Sequence, residues 1–362
     1  MKKNIYKIHK YSGLTFGFFI LLLAISGVSI TLREELLPLV YSELFEINPG
    51  ETELPVEALY TKANTFLSPE MRITNLYSSG SKDEAYLFLY NEPNLQFPTM
   101  LTINQFTGEI VGQMNMINNF FAIMLFMHAN LFVGKAGSYL VGVLGFLLCL
   151  FVVSGIYIWL PRRNIKAKLN RTFSLKSPSL QKYHHFLGLV FSFPLIISGI
   201  TGFLTVFDLS YYTARLLQKT PSRIEEMERP GTCTFEQQLN VVKSIPSLMQ
   251  QNLISVHFCT RKNGLMKVSY GLHDKDFLEG YGRLVVDPVT NSVLQSFDSS
   301  KDPGSWNLKR LIIYPLHTGQ FFGTLGRLIN FVTGISLSVI ALTGFFLYRQ
   351  RKKRNPGFSS LS

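Results

Sequence analysis

Residues 11–32 contain no Asp, Glu, Lys or Arg, and neither do residues 136–161, 183–207 and 328–348. Each run is at least 21 residues long and rich in Phe, Leu, Ile and Val. A helix of about 20 apolar residues crosses the hydrocarbon core of a bilayer. Four such runs displace the soluble two-domain reading that length alone would suggest. The first run follows Lys2, Lys3 and Lys7, as in a signal peptide. It is longer than the usual apolar core of about 7–15 residues, and no A-x-A-like site precedes Arg33, so we read it as a retained helix.

Charge orients the four helices. Residues 1–10, 162–182 and 349–362 hold 16 of the 35 Lys and Arg residues and no Asp or Glu. The net charge of +12 is therefore a positive-inside signal, not a nucleic-acid footprint. It predicts a cytoplasmic N-terminus and first helix (1–32), a first outer domain (33–126), and an interfacial segment with the second helix (127–161). A basic cytoplasmic loop (162–182) and the third helix (183–207) follow. A second outer domain (208–316), an interfacial segment with the fourth helix (317–348) and a basic cytoplasmic tail (349–362) complete the chain. The apolar stretch 117–133 carries Asn118, Asn119, His128 and Asn130, and its counterpart 306–322 contains Lys309 and Arg310. Both are expected at the outer interface rather than as further spans. Cys149 reads as a packing residue within a span. Cys233 and Cys259 share the second outer domain, and sequence separation leaves open whether they are bonded.

The chain repeats itself. A shift of 175 aligns Lys7 with Lys182, His9 with His184, Gly13 with Gly188 and Gly27 with Gly202; Ser26 or Thr201 precedes the last glycine. A shift of 189 aligns His128 with His317, Gly134 with Gly323, Gly137 with Gly326 and Gly145 with Gly334. The same shift brings Ser154-Gly155 onto Thr343-Gly344. More faintly, 100–112 matches 283–295, each reading as strand, tight turn, strand. The expected unit is helix, outer α+β domain, helix, present twice in parallel about an axis along the membrane normal.

Four of the seven histidines fall at duplicated positions. His9 and His184 open the first and third helices; His128 and His317 precede the second and fourth. Equivalent residues face each other across the axis, so the sequence predicts two sites, one per leaflet, each with a pair of imidazoles. Imidazole suits haem iron, and bundles build cofactor sites from facing helices. His9, Gly13 and Gly27 share one helix face by spacing. Gly13 and Gly188 would leave room for a flat macrocycle, whereas we assign Gly27 and Gly202 first to helix packing. A single interfacial histidine is more often a hydrogen-bonding residue than a ligand. Two symmetric pairs with no acid in the spans favour ligation over a proton relay. His185, His257 and His273 have no repeat partners. No G-x-G-x-x-G follows a strand, and no phosphate loop or C-x-x-C-H is present. A haem here would be non-covalent, b-type.

The H-x-x-x-G openings at His9–Gly13 and His184–Gly188, the His…Gly…Gly runs at His128 and His317, and the closing [ST]-G resemble the PepSY-associated transmembrane helix proteins. The hairpins at Asp287–Val293 and Asn104–Ile110 resemble those of PepSY modules. The resemblance implies a membrane α-helical fold, with four transmembrane helices in two parallel repeats, each carrying a periplasmic PepSY-like domain. Some members are inner-membrane ferric-siderophore reductases with two b-type haems. By that resemblance, this would be a multi-pass protein of the bacterial inner membrane that reduces periplasmic ferric-siderophore iron. It would hold two haems b through His9, His184, His128 and His317, and take electrons from a quinol or a cytoplasmic reductase. A PepSY-type binding or regulatory protein without redox activity, or a metal-chelate transporter, stays open as an alternative.

Overall fold

The computed structural model describes residues 2–79, 81–95, 97–160, 164–174, 179–207, 231, 233–246, 249, 252–260, 264–271, 281–298 and 312–354. Arg162, Arg163, His273, Trp306, Lys309 and Arg310 lie outside them. In chain order the helices are α1 (Lys2–Thr31), α2 (Arg33–Val40), α3 (Ser42–Phe45), α4 (Val56–Phe66), α5 (Phe120–Asn130) and α6 (Gly134–Trp159). There follow α7 (Ile165–Phe173), α8 (Leu180–Val190), α9 (Ser192–Val206), α10 (Phe235–Ser244), α11 (Tyr314–Thr318) and α12 (Gly323–Arg354). The strands are β1 (Arg72–Tyr77), β2 (Tyr86–Asn91), β3 (Thr99–Ile103), β4 (Ile110–Asn115), β5 (Leu253–His257), β6 (Met266–Gly271), β7 (Tyr281–Asp287) and β8 (Ser292–Asp298).

They divide into two compact units. One comprises Met1–Arg33, Met124–Tyr212 and Lys309–Ser362, the other Glu34–Ile123 and Thr213–Leu308. The first is helical. α1, α6 and the stretch Gln320–Arg351 are each long and apolar enough to cross a membrane. The expected third helix is broken: α8 and α9 meet at 65° and pass the same test only as a pair. Pro194 lies in the first turn of α9. It has no N–H to give the Val190 carbonyl, and its ring crowds that oxygen, which accounts for a break at Phe191. α5 has 11 residues, too few to span. Phe18, Phe146, Phe193 and Phe345 are exposed on this unit, as suits helices whose solvent is lipid. α6 and α9 cross where both chains have glycine. A Cβ on Gly145 would lie 2.9 Å from the Gly199 carbonyl oxygen, and one on Gly199 would lie 2.6 Å from that of Gly145. Close backbone approach replaces the hydrophobic drive that is absent in lipid.

The second unit is one antiparallel sheet in the order β4-β3-β2-β1-β5-β6-β7-β8. Both long regions between the membrane helices therefore contribute to a single sheet, joined where Asn75, Leu76 and Tyr77 pair with His257, Val256 and Ser255. Each half is a four-strand meander preceded by a helix, α4 or α10. Leu59, Tyr60 and Ala63 of α4 and Val241 and Val242 of α10 pack with Leu76, Phe88, Leu101, Val256 and Val268 in one core. Tyr60 stacks on Phe258 at 4.4 Å and on Phe235 at 5.1 Å. A capping box at Thr234 and Gln237 starts α10, satisfying two otherwise orphaned groups. The turn between β3 and β4 is set by Asn104, whose Oδ1 accepts from the amides of Phe106 and Thr107, and by Gly108 at φ 71°. Asp287 plays the Asn104 part in the β7–β8 hairpin, accepting from the Val289 amide. Cys233 and Cys259, left open by the sequence, form a disulfide with Cα atoms 6.0 Å apart.

Candidate functional site

The four duplicated histidines all belong to the helical unit. His9 is on α1, His128 at the end of α5, His184 on α8 and His317 on α11. Two short helices thus carry one histidine each, and a tight corner joins each to the span that follows. Gly134 and Gly323 open α6 and α12 at φ 61° and 57°, a region where L side chains are strained. One turn on, a Cβ at Gly137 would collide with the Asn130 carbonyl, and one at Gly326 with the Gly319 carbonyl. The His…Gly…Gly pattern is thereby explained: the first glycine makes the corner, and the second lets the end of the short helix lie against the span.

Each imidazole is seated on a Ser/Thr-Gly pair of another helix. His9 Nδ1 lies 2.8 Å from Ser154 Oγ on α6. His184 Nδ1 lies 3.1 Å from Thr343 Oγ1 on α12 and 3.0 Å from the Ile340 carbonyl oxygen. His128 Nδ1 lies 3.3 Å from Ser26 Oγ on α1 and 2.9 Å from the Leu23 carbonyl oxygen. His317 Nδ1 lies 3.1 Å from Thr201 Oγ1 on α9. The glycine after each hydroxyl makes room for the ring. A Cβ would lie 3.0 Å from His128 Cε1 at Gly27, 3.1 Å from His317 Cε1 at Gly202, 3.3 Å from His184 Cε1 at Gly344 and 3.4 Å from His9 Cε1 at Gly155. Gly27 and Gly202, assigned above to helix packing, are instead floors for imidazoles. The clasp is reciprocal. α1 sends His9 to α6 and offers Ser26-Gly27 to the histidine that precedes α6. α8 and α9 stand in the same relation to α11 and α12.

Nδ1 makes every one of these bonds, which leaves Nε2 as the nitrogen available to a ligand. The His128 and His317 rings are 6.0 Å apart, centre to centre, and tilted by 41°. Two imidazoles sharing one metal at about 2.0–2.1 Å per bond, with roughly 1 Å from nitrogen to ring centre, stand roughly 6 Å apart. α1, which carries His9, packs against α12, whose Thr343 seats His184. The two pairs lie at opposite ends of α1: His9 and Gly27 are 18 residues apart in sequence, about 27 Å along a helix, close to the thickness of a hydrocarbon core. Gly13 has only the edge of Phe151 within 4 Å of a Cβ position, and Gly188 has nothing. His185 sits beside His184 at 6.4 Å between rings, while His257 bonds Asn75 within the sheet. Among the described residues, no group of three or more His, Cys, Asp or Glu gathers for a metal ion. The four hydroxyls were the part of the site the sequence did not assign, although their recurrence as [ST]-G at duplicated positions was the signal for it.

Apolar helices of spanning length, joined in one chain to an antiparallel sheet with its own helices, define a membrane protein with an α+β domain. The model of the PepSY-associated TM region matches residues 6–351, and the chain belongs to that family. No curated protein matches the chain.

Proposed function

We propose that this protein is a haem-carrying oxidoreductase of the bacterial inner membrane that delivers electrons to the ferric iron of a periplasmic siderophore. The observation that carries the reading is the double pair of seated histidines. A ligating histidine characteristically donates its second ring N–H to a carbonyl or another fixed acceptor, which sets the tautomer and orients the ring. All four histidines have that second-nitrogen partner. Two imidazoles alone leave a bare transition metal short of protein ligands, whereas a porphyrin brings its own four nitrogens. The donor set therefore fits haem b, with His128 and His317 at one site and His9 and His184 at the other. Haem in such a site supplies one-electron transfer at a potential set by its axial ligands and burial.

The chain's own contribution is positional. The Ser/Thr-Gly floors hold the rings, the corners at Gly134 and Gly323 aim His128 and His317, and the open space beside Gly13 and Gly188 admits a flat group at the backbone. We read the two helix pairs, and the two meanders of the sheet, as copies of one unit about an axis along the membrane normal. Both termini are then cytoplasmic, His9 and His184 form the inner site, and His128 and His317 form the outer one. Ferrous iron binds such chelators poorly, so one-electron reduction of the bound ferric iron releases it.

Stopped-flow mixing of dithionite-reduced protein with a panel of ferric chelates tests the function. Re-oxidation by at least one of them, at a rate that scales with chelate concentration, is expected. No re-oxidation by any would remove the ferric-chelate reductase reading.

A further inference from the structure

The four seats are not equivalent. We propose that Ser154 is the positioning residue on which the His9 site depends, in a way that the sites of His128 and His184 do not depend on their hydroxyls. The inference rests on the haem reading above and assigns one residue the task of fixing one ligand.

A hydroxyl has one hydrogen to give and two lone pairs. Ser26 gives its hydrogen to the Leu22 carbonyl at 2.7 Å, Thr201 to that of Ile197 at 2.7 Å and Thr343 to that of Val339 at 2.7 Å. These three hydroxyls are left to accept from the imidazole. Two of their histidines also face a carbonyl three residues before the hydroxyl: Leu23 for His128 and Ile340 for His184. A carbonyl accepts and cannot donate, so Nδ1 must carry the hydrogen in both of these rings. Nε2 is then a bare lone pair, whatever the hydroxyl does.

His9 lacks that second acceptor among the described residues. The carbonyl three residues before Ser154 belongs to Phe151, and it faces Ser154 Oγ at 3.1 Å. The Phe151 ring meets the His9 ring edge-on at 5.8 Å. The His9 tautomer therefore hangs on one hydroxyl. With its hydrogen turned to Phe151, Ser154 accepts from Nδ1–H and Nε2 is free to ligate. With its hydrogen turned to His9, the ring hydrogen must sit on Nε2, and ligation through that nitrogen is blocked.

The test compares S154A with S26A and T343V, and uses S154T as the conservative variant. Two readouts are taken: ¹⁵N NMR of imidazole nitrogens in haem-free, ¹⁵N-His-labelled protein, and haem release from holoprotein to an apo-globin scavenger. S154A is expected to give a mixed tautomer at one histidine and about 10–100-fold weaker retention at one site, the range typical of lost second-nitrogen partners. S154T restores both readouts. S26A and T343V keep the Nδ1–H tautomer because the carbonyls remain, and they lose haem more slowly than S154A. Unchanged tautomer and release in S154A, or equal effects in all three, would overturn the inference. Should S154A fail to fold, S154C, which keeps a weak donor and acceptor, is expected to release haem at an intermediate rate; wild-type behaviour would overturn it. A colourless wild-type protein would remove the haem reading, and the NMR comparison alone would then decide the role of Ser154.

Discussion

The helical unit and the sheet unit are held together by opposite means. The sheet unit is a water-soluble design: two helices pressed on one face of eight strands, a core of Leu59, Phe88, Leu101 and Val256, and a disulfide. Its order comes from burying apolar surface, which is non-directional. The helical unit has no such drive between its helices, because lipid is as apolar as leucine. It relies instead on glycine crossings and on four imidazole–hydroxyl clasps, each local and directional. Stability in one unit is spread over many residues, whereas geometry in the other is concentrated in a few. The same few are the residues to which we assign ligation.

That contrast can be broken most forcefully at the histidines. His128→Ala or His317→Ala is expected to remove one of two haem signals completely and leave the other, with the sheet unit's unfolding unchanged; visible spectra and thermal melts check this. Loss of neither signal would refute the pairing. Next comes the disulfide. Its two cysteines are 26 residues apart in sequence, and chain-entropy arguments give such a cross-link about 3.5 kcal/mol. Cys233→Ser with Cys259→Ser should destabilise the sheet unit by about that amount in denaturant titrations, and leave haem spectra untouched.

Smaller effects sharpen the comparison within the helical unit. Gly27→Ala and Gly202→Ala place a methyl about 3 Å from an imidazole and should cost about 1–3 kcal/mol, as overpacking does. They should perturb the spectrum of the His128–His317 site more than Gly155→Ala or Gly344→Ala perturbs that of the His9–His184 site, where the fit is looser.

The smallest predicted effect lies in the sheet. Burial raises the Tyr60 hydroxyl's pKa, and burial together with the hydrogen bond and charge of Glu53 raises that of Tyr86. A raised folded-state pKa means that these tyrosines contribute stability fully below the unfolded value of about 10 and lose it as pH climbs through the folded value. The sheet unit should therefore weaken above about pH 10. Tyr86→Phe, which removes the 2.8 Å bond to Glu53, should cost about 1 kcal/mol near neutrality and flatten the alkaline loss in a pH series of melts.

Much of this was readable in the chain itself. Charge-free runs marked the spans, because lipid tolerates no unpaired charge. The repeat marked the histidines, and the turn residues Asn104, Gly108 and Asp287 marked the hairpins. What was hidden depends on contacts between distant segments. The pairing of Asn75 with His257 joins two regions far apart in the chain into one sheet, and no local pattern announces it. The disulfide needs a Cα distance. The break at Phe191 had a visible cause in Pro194, but a proline in a membrane helix does not by itself say whether the helix bends. The glycines at 27 and 202 fit helix packing as well as an imidazole floor, and only the placement of His128 and His317 separates the two.

The central claim is that paired, seated histidines hold two haems. Its most direct measurement is the visible and low-temperature EPR spectrum of the detergent-purified protein from haem-replete cells, with haem counted per chain. Two six-coordinate, low-spin haems with bis-histidine signatures are predicted. A colourless protein, or high-spin haem with an open axial position at both sites, would contradict it.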